Sequence, residues 1–205
     1  NNVWRQETPG STSWPRSPRP AAGNKYFIVS ADCHVQEPND FLSARMDKKY
    51  QDRLPGIVLG GDGSKLQKTE GFRPMKIGSF TLEGEDFERN ESGKTPDERL
   101  AALDRDGVDC EVLFPNKGLT IWATPDVEFS QAMCRVYNDW AWEIYGPHYD
   151  RLRPMAAIAT GNIESAIEEI ERVAKMGFRG LSLPCKPQWG PGNSEDLNYN
   201  LPEFD

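Results

Sequence analysis

Residues 95–114, TPDERLAALDRDGVDCEVLF, contain one complete helix followed by one complete strand. The first four residues, Thr-Pro-Asp-Glu, form a capping box with proline at the first helical position. They predict a helix that begins there and ends at Gly107. The apolar run Cys110–Phe114, closed by Pro115, predicts a buried strand.

The same alternation continues on both sides of this unit. Apolar residues three and four positions apart predict two more helices, and short apolar runs predict three more strands. The predicted elements are a strand over Tyr26–Ala31, a helix from about 124 to 146, a strand over Arg153–Thr160, a helix capped by Asn162 with Ile163, Ala166, Ile167, Ile170 and Val173 along one side, and a strand over Phe178–Leu183.

Helices between short, continuously apolar strands indicate an α/β fold with a parallel sheet that is buried on both faces. Four strands and three connecting helices amount to the first half of a (β/α)8 TIM barrel. A doubly wound open sheet is the structural alternative. No glycine-rich phosphate-binding motif follows any predicted strand, so the sequence does not support nucleotide binding.

The remaining segments suggest how the chain is organised. Residues 1–24 contain four prolines and two isolated tryptophans, which predict an extended arm; alternatively, Trp4 and Trp14 anchor the arm on a neighbouring subunit. Residues 25–205 are predicted to form the half barrel. Within them, the glycine-punctuated stretch from about 55 to 90 predicts one or two inserted hairpins.

Composition excludes several classes of function. The 205 residues carry a formal net charge of −8, which disfavours nucleic acid and acidic membranes as partners. No apolar run approaches the roughly 20 residues of a membrane-spanning helix. The four cysteines are widely spaced and resemble reduced core residues. We therefore expect a cytoplasmic protein with no membrane partner.

The strongest local signal for chemistry is Ser30–His34, SADCH, at the carboxyl end of the first predicted strand. Side chains alternate along a strand, so Asp32 and His34 project to one side and Cys33 to the other. A carboxylate and an imidazole two residues apart can ligate one cation together or act as an acid–base pair. The carboxyl ends of barrel strands are also where active sites of this architecture lie.

Several stretches resemble a known family. IVSADCHVQEP at 28–38 resembles the opening of the amidohydrolase-related branch of the amidohydrolase superfamily, which includes aminocarboxymuconate-semialdehyde decarboxylase. Four further stretches follow in the order and at the spacing of that family. They are RLAALDRDGVD at 99–109, YNDW at 137–140, DRLRP at 150–154 and KMGFRG at 175–180.

The resemblance implies one or two divalent metal ions inside a (β/α)8 barrel, with zinc as the first expectation and iron or manganese as alternatives. In that pattern Asp32 and His34 occupy the metal-ligand positions of the first strand. The family's further ligands are histidines on the fifth and sixth strands and an aspartate on the eighth, and this sequence contains none of those strands.

The resemblance thus implies a metal-dependent hydrolase or decarboxylase that acts on a small carboxylated molecule. The competing hypothesis is a non-catalytic fragment or subunit that must associate with a chain carrying the remaining strands. In either case we expect a second polypeptide that completes the barrel, a homo-oligomer, or both.

Loop positions supply a few more candidates. Asn116 and Lys117 follow the second strand, and Lys186 follows the fourth, where barrel loops reach the active site. Asn116 and Lys186 are therefore candidates for substrate binding, with Lys186 placed to attract a carboxylate. Glu37 is a candidate second-shell partner of the metal pair.

Other polar residues are expected to serve the fold. His148 lies in a turn at the opposite end of the barrel, where a surface or capping role is expected. Asn138 and Asp139 should pack within their helix, and Arg151 and Arg153 should pair with nearby carboxylates or carbonyls.

Overall fold

A computed structural model describes residues 15–19, 26–76, 84–85, 93–187 and 198–204. The strands and helices follow in the order β1 (Val29–His34), β2 (Gly56–Leu59), β3 (Lys65–Lys68), β4 (Met75–Lys76), α1 (Pro96–Asp106), β5 (Cys110–Phe114), α2 (Val127–Tyr145), β6 (Leu152–Pro154), β7 (Ala156–Ala157), α3 (Ile163–Met176) and β8 (Leu181–Ser182). Short 3-10 helices span Lys48–Arg53, Lys117–Ala123, Gly146–His148 and Pro202–Phe204.

The helices begin and end where side chains can satisfy their terminal backbone groups. At the start of α1, the Thr95 side chain accepts the Glu98 N–H and the Glu98 side chain accepts the Thr95 N–H, so the predicted capping box is confirmed. Gly107 ends the helix with a φ of 76°, a left-handed conformation that favours glycine. Asp126 and Asn162 cap α2 and α3 in the same way.

Four parallel barrel strands follow one another in sequence order. β1, β5 and β6 form one parallel sheet, and β7 pairs with β8 in parallel. Only Met155 separates β6 from β7, and its N–H donates to the Leu113 carbonyl at 2.9 Å. The two short strands are therefore successive parts of one strand that changes partner, and the predicted half of a (β/α)8 barrel is confirmed.

The first strand lies three residues later than predicted. The prediction was Tyr26–Ala31, whereas β1 spans Val29–His34. Residues 26 and 27 instead pair with the N-terminal arm: Tyr26 bridges Arg16, and the Phe27 N–H donates to the Pro15 carbonyl. The pairing of β1 with β5 is also irregular between Ser30 and Cys33, an interval that includes the candidate metal ligand Asp32.

The buried side of α3 is rotated from the predicted one. Ala166 and Val173 are buried as expected, but Ile167 is 52% exposed. Glu169 is buried instead, because its carboxylate accepts a hydrogen bond from the buried amide of Asn138 at 2.8 Å. A helix that buries position 169 turns position 167 toward its outer side.

The insertion forms a small three-stranded antiparallel sheet, which we call the flap sheet (β2, β3 and β4). Just after β3, the buried Thr69 hydroxyl shares a hydrogen bond with that of Thr120. Arg53 also holds the flap sheet, because it binds both oxygens of Glu70 and one oxygen of Asp126 at the start of α2. Antiparallel hairpins thus occupy 56–76 of the stretch predicted as an insertion, and most of 77–92 lies outside the described residues.

The core lies between the barrel strands and the helices, where the largest fully buried side chains include Phe129, Leu113, Met133, Leu152 and Ile158. The other face of the strands is open, because Val29, Leu181 and Leu183 are all exposed. In the described part of the chain, no helix is both long enough and apolar enough to cross a membrane.

Residues 15–19 of the N-terminal arm are packed against the amino ends of the strands. The buried Asp109 carboxylate accepts hydrogen bonds from the Ser17 hydroxyl and the Ile28 N–H, and pairs with Arg19 at 2.8 Å. The rest of the predicted arm, including Trp4 and Trp14, lies outside the described residues.

Candidate metal centre

Asp32 and His34 lie together at the carboxyl end of β1. The His34 Nε2 atom is 3.9 Å from Oδ1 of Asp32. The Asp32 side chain is 91% exposed and that of His34 is 40% exposed, so both ligand atoms are open to solvent and to an ion. Cys33, between them, faces the other way toward Glu111, and burial raises the pKa of its thiol.

The His34 ring is oriented by the backbone that follows the second barrel strand. Its Nδ1 atom lies 2.7 Å from the Pro115 carbonyl oxygen. A carbonyl oxygen can only accept, so Nδ1 carries a proton, and in the neutral form of the ring Nε2 then has the lone pair. Metal-ligating histidines commonly use one nitrogen in this way while the other binds the metal.

Glu37 holds the loop that carries this carbonyl. Its side chain is buried, and its two carboxylate oxygens accept the backbone N–H groups of Asn116, Lys117 and Gly118 at 2.9–3.0 Å. Glu37 was predicted to be a second-shell partner of the metal pair. The structure places it one step further away, since it reaches His34 through the loop that follows Pro115.

A buried ion pair supports the same strand end from the helix side. Arg99 donates to the Glu111 carboxylate at 2.8 Å and to the backbone carbonyl of His34 at 2.6 Å. The side chains of Arg99 and Glu111 are each 12% exposed, so water screens the pair little. Arg99 therefore fixes the backbone of His34, while Pro115 fixes its ring.

The pair fits a divalent metal ion as part of its ligand set. A tetrahedral zinc ion with bonds of about 2.0–2.1 Å places its ligand atoms roughly 3.4 Å apart, whereas Nε2 and Oδ1 are 3.9 Å apart. A small rotation of the exposed Asp32 side chain closes that difference. Among the described residues, no group of three or more His, Cys, Asp or Glu side chains is arranged to hold a metal. Asp32 and His34 can therefore supply only part of a site.

The predicted substrate-binding residues occupy two separate loops. Asn116 is exposed at the start of the 3-10 helix Lys117–Ala123, beside the loop that holds His34. Lys186 is exposed in the bend after β8. Two side chains hold that bend: the Tyr199 hydroxyl donates to the Pro184 carbonyl, and the Thr160 hydroxyl donates to the Pro187 carbonyl.

Asn138 and Arg151, which were expected to serve the fold, do so. Asn138 is fully buried and exchanges two hydrogen bonds with the backbone of Ala157, so its amide acts as a strand partner for β7. Arg151 pairs with Asp104 at 2.9 Å and donates to two backbone carbonyls. His148 lies in the 3-10 helix Gly146–His148, which leads into the amino end of β6.

Sequence reasoning missed two contributors to the site. Arg99 stood inside a stretch that indicated the family, yet nothing in its spacing revealed that it reaches the carbonyl of His34. The role of Pro115 is carried by a backbone oxygen, which no residue type encodes. The polar pattern at 30–37 indicated the region that Arg99 and the Pro115 carbonyl contact, but it did not identify either of them.

Comparisons with known proteins agree with this geometry. Residues 31–203 match the family model described as Amidohydrolase. A comparison with curated proteins gave no match. One similar solved structure is an amidohydrolase from Mycobacterium avium subsp. paratuberculosis K-10, with 15% sequence identity and a TM-score of 0.64, covering 87% of this chain and 53% of that one.

Two decarboxylases are also similar in fold. A 2,6-dihydroxybenzoate decarboxylase from Rhizobium has 24% identity and a TM-score of 0.52. A dihydroxybenzoic acid decarboxylase from Polaromonas sp. JS666, with bound manganese and the inhibitor 2-nitroresorcinol, has 18% identity and a TM-score of 0.52. Each comparison covers 87% of this chain and 44% of the other, so the chain spans about half the length of the structures that it matches.

Proposed function

The chain belongs to the amidohydrolase family, and from that premise we propose that it contributes to a metal-dependent enzyme that hydrolyses or decarboxylates a small carboxylated molecule. Its own contribution is the first-strand part of the metal site, Asp32 and His34. The observation that carries the proposal is the orientation of His34, whose protonated Nδ1 faces the Pro115 carbonyl and whose free Nε2 faces Asp32.

A divalent ion bound here would act as a Lewis acid on substrate oxygens or on water. The protein residues prepare for this in three ways. The Pro115 carbonyl holds the Nδ1 side of the His34 ring, so that Nε2 is the nitrogen turned toward Asp32 and available to an ion. The exposed Asp32 carboxylate offers oxygens to the ion or accepts a proton from a nearby water. We propose that Asn116, which is exposed on the adjoining loop, contacts the substrate.

We propose zinc as the first metal to test, with manganese and iron as alternatives. Histidine nitrogen and carboxylate oxygen together suit zinc, and they also suit manganese and iron. The manganese in the decarboxylase from Polaromonas sp. JS666 supports including that ion. The two decarboxylases of similar fold support dihydroxybenzoates as the first substrates to test.

The remaining ligands must come from further barrel strands. The open face of the present strands, with Val29, Leu181 and Leu183 exposed, supports this part of the proposal. A barrel interior is normally filled by such branched side chains from all eight strands. A chain that meets no further strands would be non-catalytic, which is the alternative function.

Metal analysis tests the proposal. The purified protein, with any co-purifying chain, is loaded with Zn²⁺, desalted and assayed by elemental analysis. We expect Asp32→Ala and His34→Ala each to lower the bound zinc at least about tenfold, because each removes one ligand. His148→Ala is the matched control, since it removes the other histidine of the chain and should leave zinc unchanged. Equal zinc in all four proteins would refute the site.

Activity separates the two functions. Loaded protein is incubated with 2,6-dihydroxybenzoate, and the release of carbon dioxide is followed. Turnover that disappears in His34→Ala supports the enzyme. Zinc binding without turnover on any small carboxylate or amide would instead favour the non-catalytic alternative.

A further inference from the structure

A large groove lies between the loop after β1 and the flap sheet. It has a volume of about 580 Å³ and is lined on one side by Phe41 and Leu42, and on the other by Pro55 and Ile57, with Lys117 and Asn39 among its polar residues. This volume lies within the roughly 300–1,000 Å³ that is usual for sites of small organic ligands. A cavity between α2 and α3, lined in part by Gln131 and Cys134, has only about 80 Å³ and suits water.

The charge at the edge of the groove favours an anion. The Lys117 ammonium group donates to the Glu37 backbone carbonyl and, at 2.7 Å, to the Asn39 side-chain oxygen. Both acceptors are uncharged, and an ammonium group has three N–H donors. Within the described part of the chain, no carboxylate forms an ion pair with Lys117. One donor and the whole positive charge thus remain for a ligand.

The position of Lys117 is also fixed. Its backbone N–H donates to the buried Glu37 carboxylate, the same group that holds the loop behind His34. Because both its backbone and its ammonium group are engaged, little conformational entropy remains to be lost when an anion binds. A lysine held in this way is a stronger candidate for ligand binding than an unrestrained surface lysine.

The walls of the groove favour an apolar body. Ile57 is 66% exposed although it is a large aliphatic residue in a strand. It faces the groove together with Phe41, Leu42 and Pro55. Covering this surface would remove apolar area from water, at about 25 cal/mol for each Å² buried.

We propose that this groove binds a small monocarboxylate with an aromatic or branched apolar body. The carboxylate lies on the Lys117 ammonium group, and the body lies between Phe41 and Ile57. The groove is linked to the metal pair through the loop after β5, since Lys117 lies two residues after Pro115, whose carbonyl oxygen contacts the His34 ring. Only the identification of this ligand as the substrate rests on the proposed function; the binding itself does not.

Titration with a simple probe tests the proposal without metal. The full chain, labelled with ¹⁵N and kept in EDTA, is titrated with 3-phenylpropionate and with the uncharged 3-phenylpropanamide, and amide chemical shifts are followed by NMR. We expect the acid to bind about tenfold more tightly than the amide, a difference of roughly 1.4 kcal/mol. Shifts should be concentrated at residues 39–43, 55–57 and 116–118. Similar affinities for both compounds, or shifts confined to other regions, would overturn the proposal.

Variants separate the contribution of the charge from that of the wall. Lys117→Met should remove the preference for the acid while leaving the affinity for the amide nearly unchanged. Ile57→Ser should weaken both compounds severalfold. Lys175→Met removes a lysine that is 79% exposed on α3, so it should change neither affinity. A preference for the acid that survives Lys117→Met would assign the anion to another group and contradict the proposal.

EDTA makes the two proposals fail in different ways. If the protein binds the acid in EDTA but metal analysis finds no bound zinc, the groove proposal stands and the metal-site proposal fails. If the protein binds zinc but does not bind the acid in EDTA, the metal-site proposal stands and the groove proposal fails.

Discussion

Two buried carboxylates lie at opposite ends of the same barrel strands, and their partners differ. Asp109, at the amino end, binds a hydroxyl, a backbone N–H and a cation, from Ser17, Ile28 and Arg19. Among the described residues, the partners of the Glu37 carboxylate, at the carboxyl end, are the backbone N–H groups of the 116–118 loop. The first carboxylate closes the fold by holding the N-terminal arm, whereas the second shapes the loop that orients His34. If the proposed metal site is correct, stability and function are separated between the two ends of the barrel.

The largest effect is expected at the amino end. Asp109→Ala leaves Arg19, Ser17 and the Ile28 N–H without their buried acceptor, so the free energy of unfolding should fall by about 3 kcal/mol. Urea denaturation measures this change. Asp106→Ala, which removes an exposed aspartate at the end of α1, is the control and should cost less than about 0.5 kcal/mol.

The same variant tests the separation of the two ends. The His34 ring nitrogen shifts of folded Asp109→Ala should equal those of the unsubstituted protein. A change in the His34 ring shifts without a loss of stability would mean that Asp109 affects the candidate metal site and not the stability of the fold.

A smaller effect on stability is expected from Glu37→Gln, together with a larger effect on His34. The glutamine amide turns an N–H donor toward the backbone N–H groups, so the loop loses an acceptor and about 2 kcal/mol of stability. The Pro115 carbonyl should then hold Nδ1 less firmly. The fraction of His34 protonated at Nδ1 should fall, and zinc affinity should weaken about tenfold. Unchanged His34 shifts in this variant would show that Glu37 serves the fold alone.

Gly118→Ala tests the same contact from the loop side. An added Cβ would lie 3.0 Å from the Pro115 Cβ and 3.3 Å from Oε1 of Glu37, so the loop must shift by a few tenths of an ångström. We expect a loss of stability of about 1 kcal/mol and a small change in the His34 ring shifts. Gly61→Ala, where no atom lies within 4 Å of the added Cβ, is the control.

The smallest effect concerns pH and the flap sheet. Arg53 holds the pKa of Glu70 below its usual value, and the Phe129 N–H, followed by Arg53, lowers that of Asp126. A carboxyl whose folded pKa is depressed stabilises the fold above its unfolded pKa, about 4.3 for Glu and 3.9 for Asp, and that stabilisation is lost as the pH falls through the folded value.

Hydrogen exchange measures this effect. Protection of amides 65–70 should fall modestly below about pH 4 and remain constant from pH 6 to 8, because the pair is partly exposed and its contribution is small. In Arg53→Gln the folded pKa of Glu70 returns toward its unfolded value, so protection should already be lower at pH 6 to 8 and should fall less below pH 4. Protection that rises as the pH falls would contradict the assignment.

Much of the fold could be predicted from local sequence. The capping box at Thr95 and the glycine at 107 mark one helix by chemistry confined to a few residues, and both predictions are confirmed. The errors occurred where a residue distant in sequence determines the bounds of a strand or the buried side of a helix. Residues 26 and 27 pair with the arm, which moves β1 later, and Asn138 draws Glu169 into the core, which turns Ile167 outward.

The candidate site divides in the same way. The alternation of SADCH was sufficient to place Asp32 and His34 side by side. The support for His34 comes from Pro115, about 80 residues further along the chain, through a backbone atom. Such a contact depends on the register between β1 and β5, and a sequence pattern does not specify it. The assignment of Asp32 and His34 to a metal stays a prediction.

The protonation of His34 tests the central claim most directly. The chain has only two histidines, so long-range ¹H–¹⁵N correlation spectra resolve both rings, with His148 as the internal reference. We predict that the neutral ring of His34 carries its proton on Nδ1, and that added Zn²⁺ shifts the Nε2 signal of His34 and leaves His148 unchanged. A His34 ring protonated at Nε2, with no response to zinc, would contradict the account.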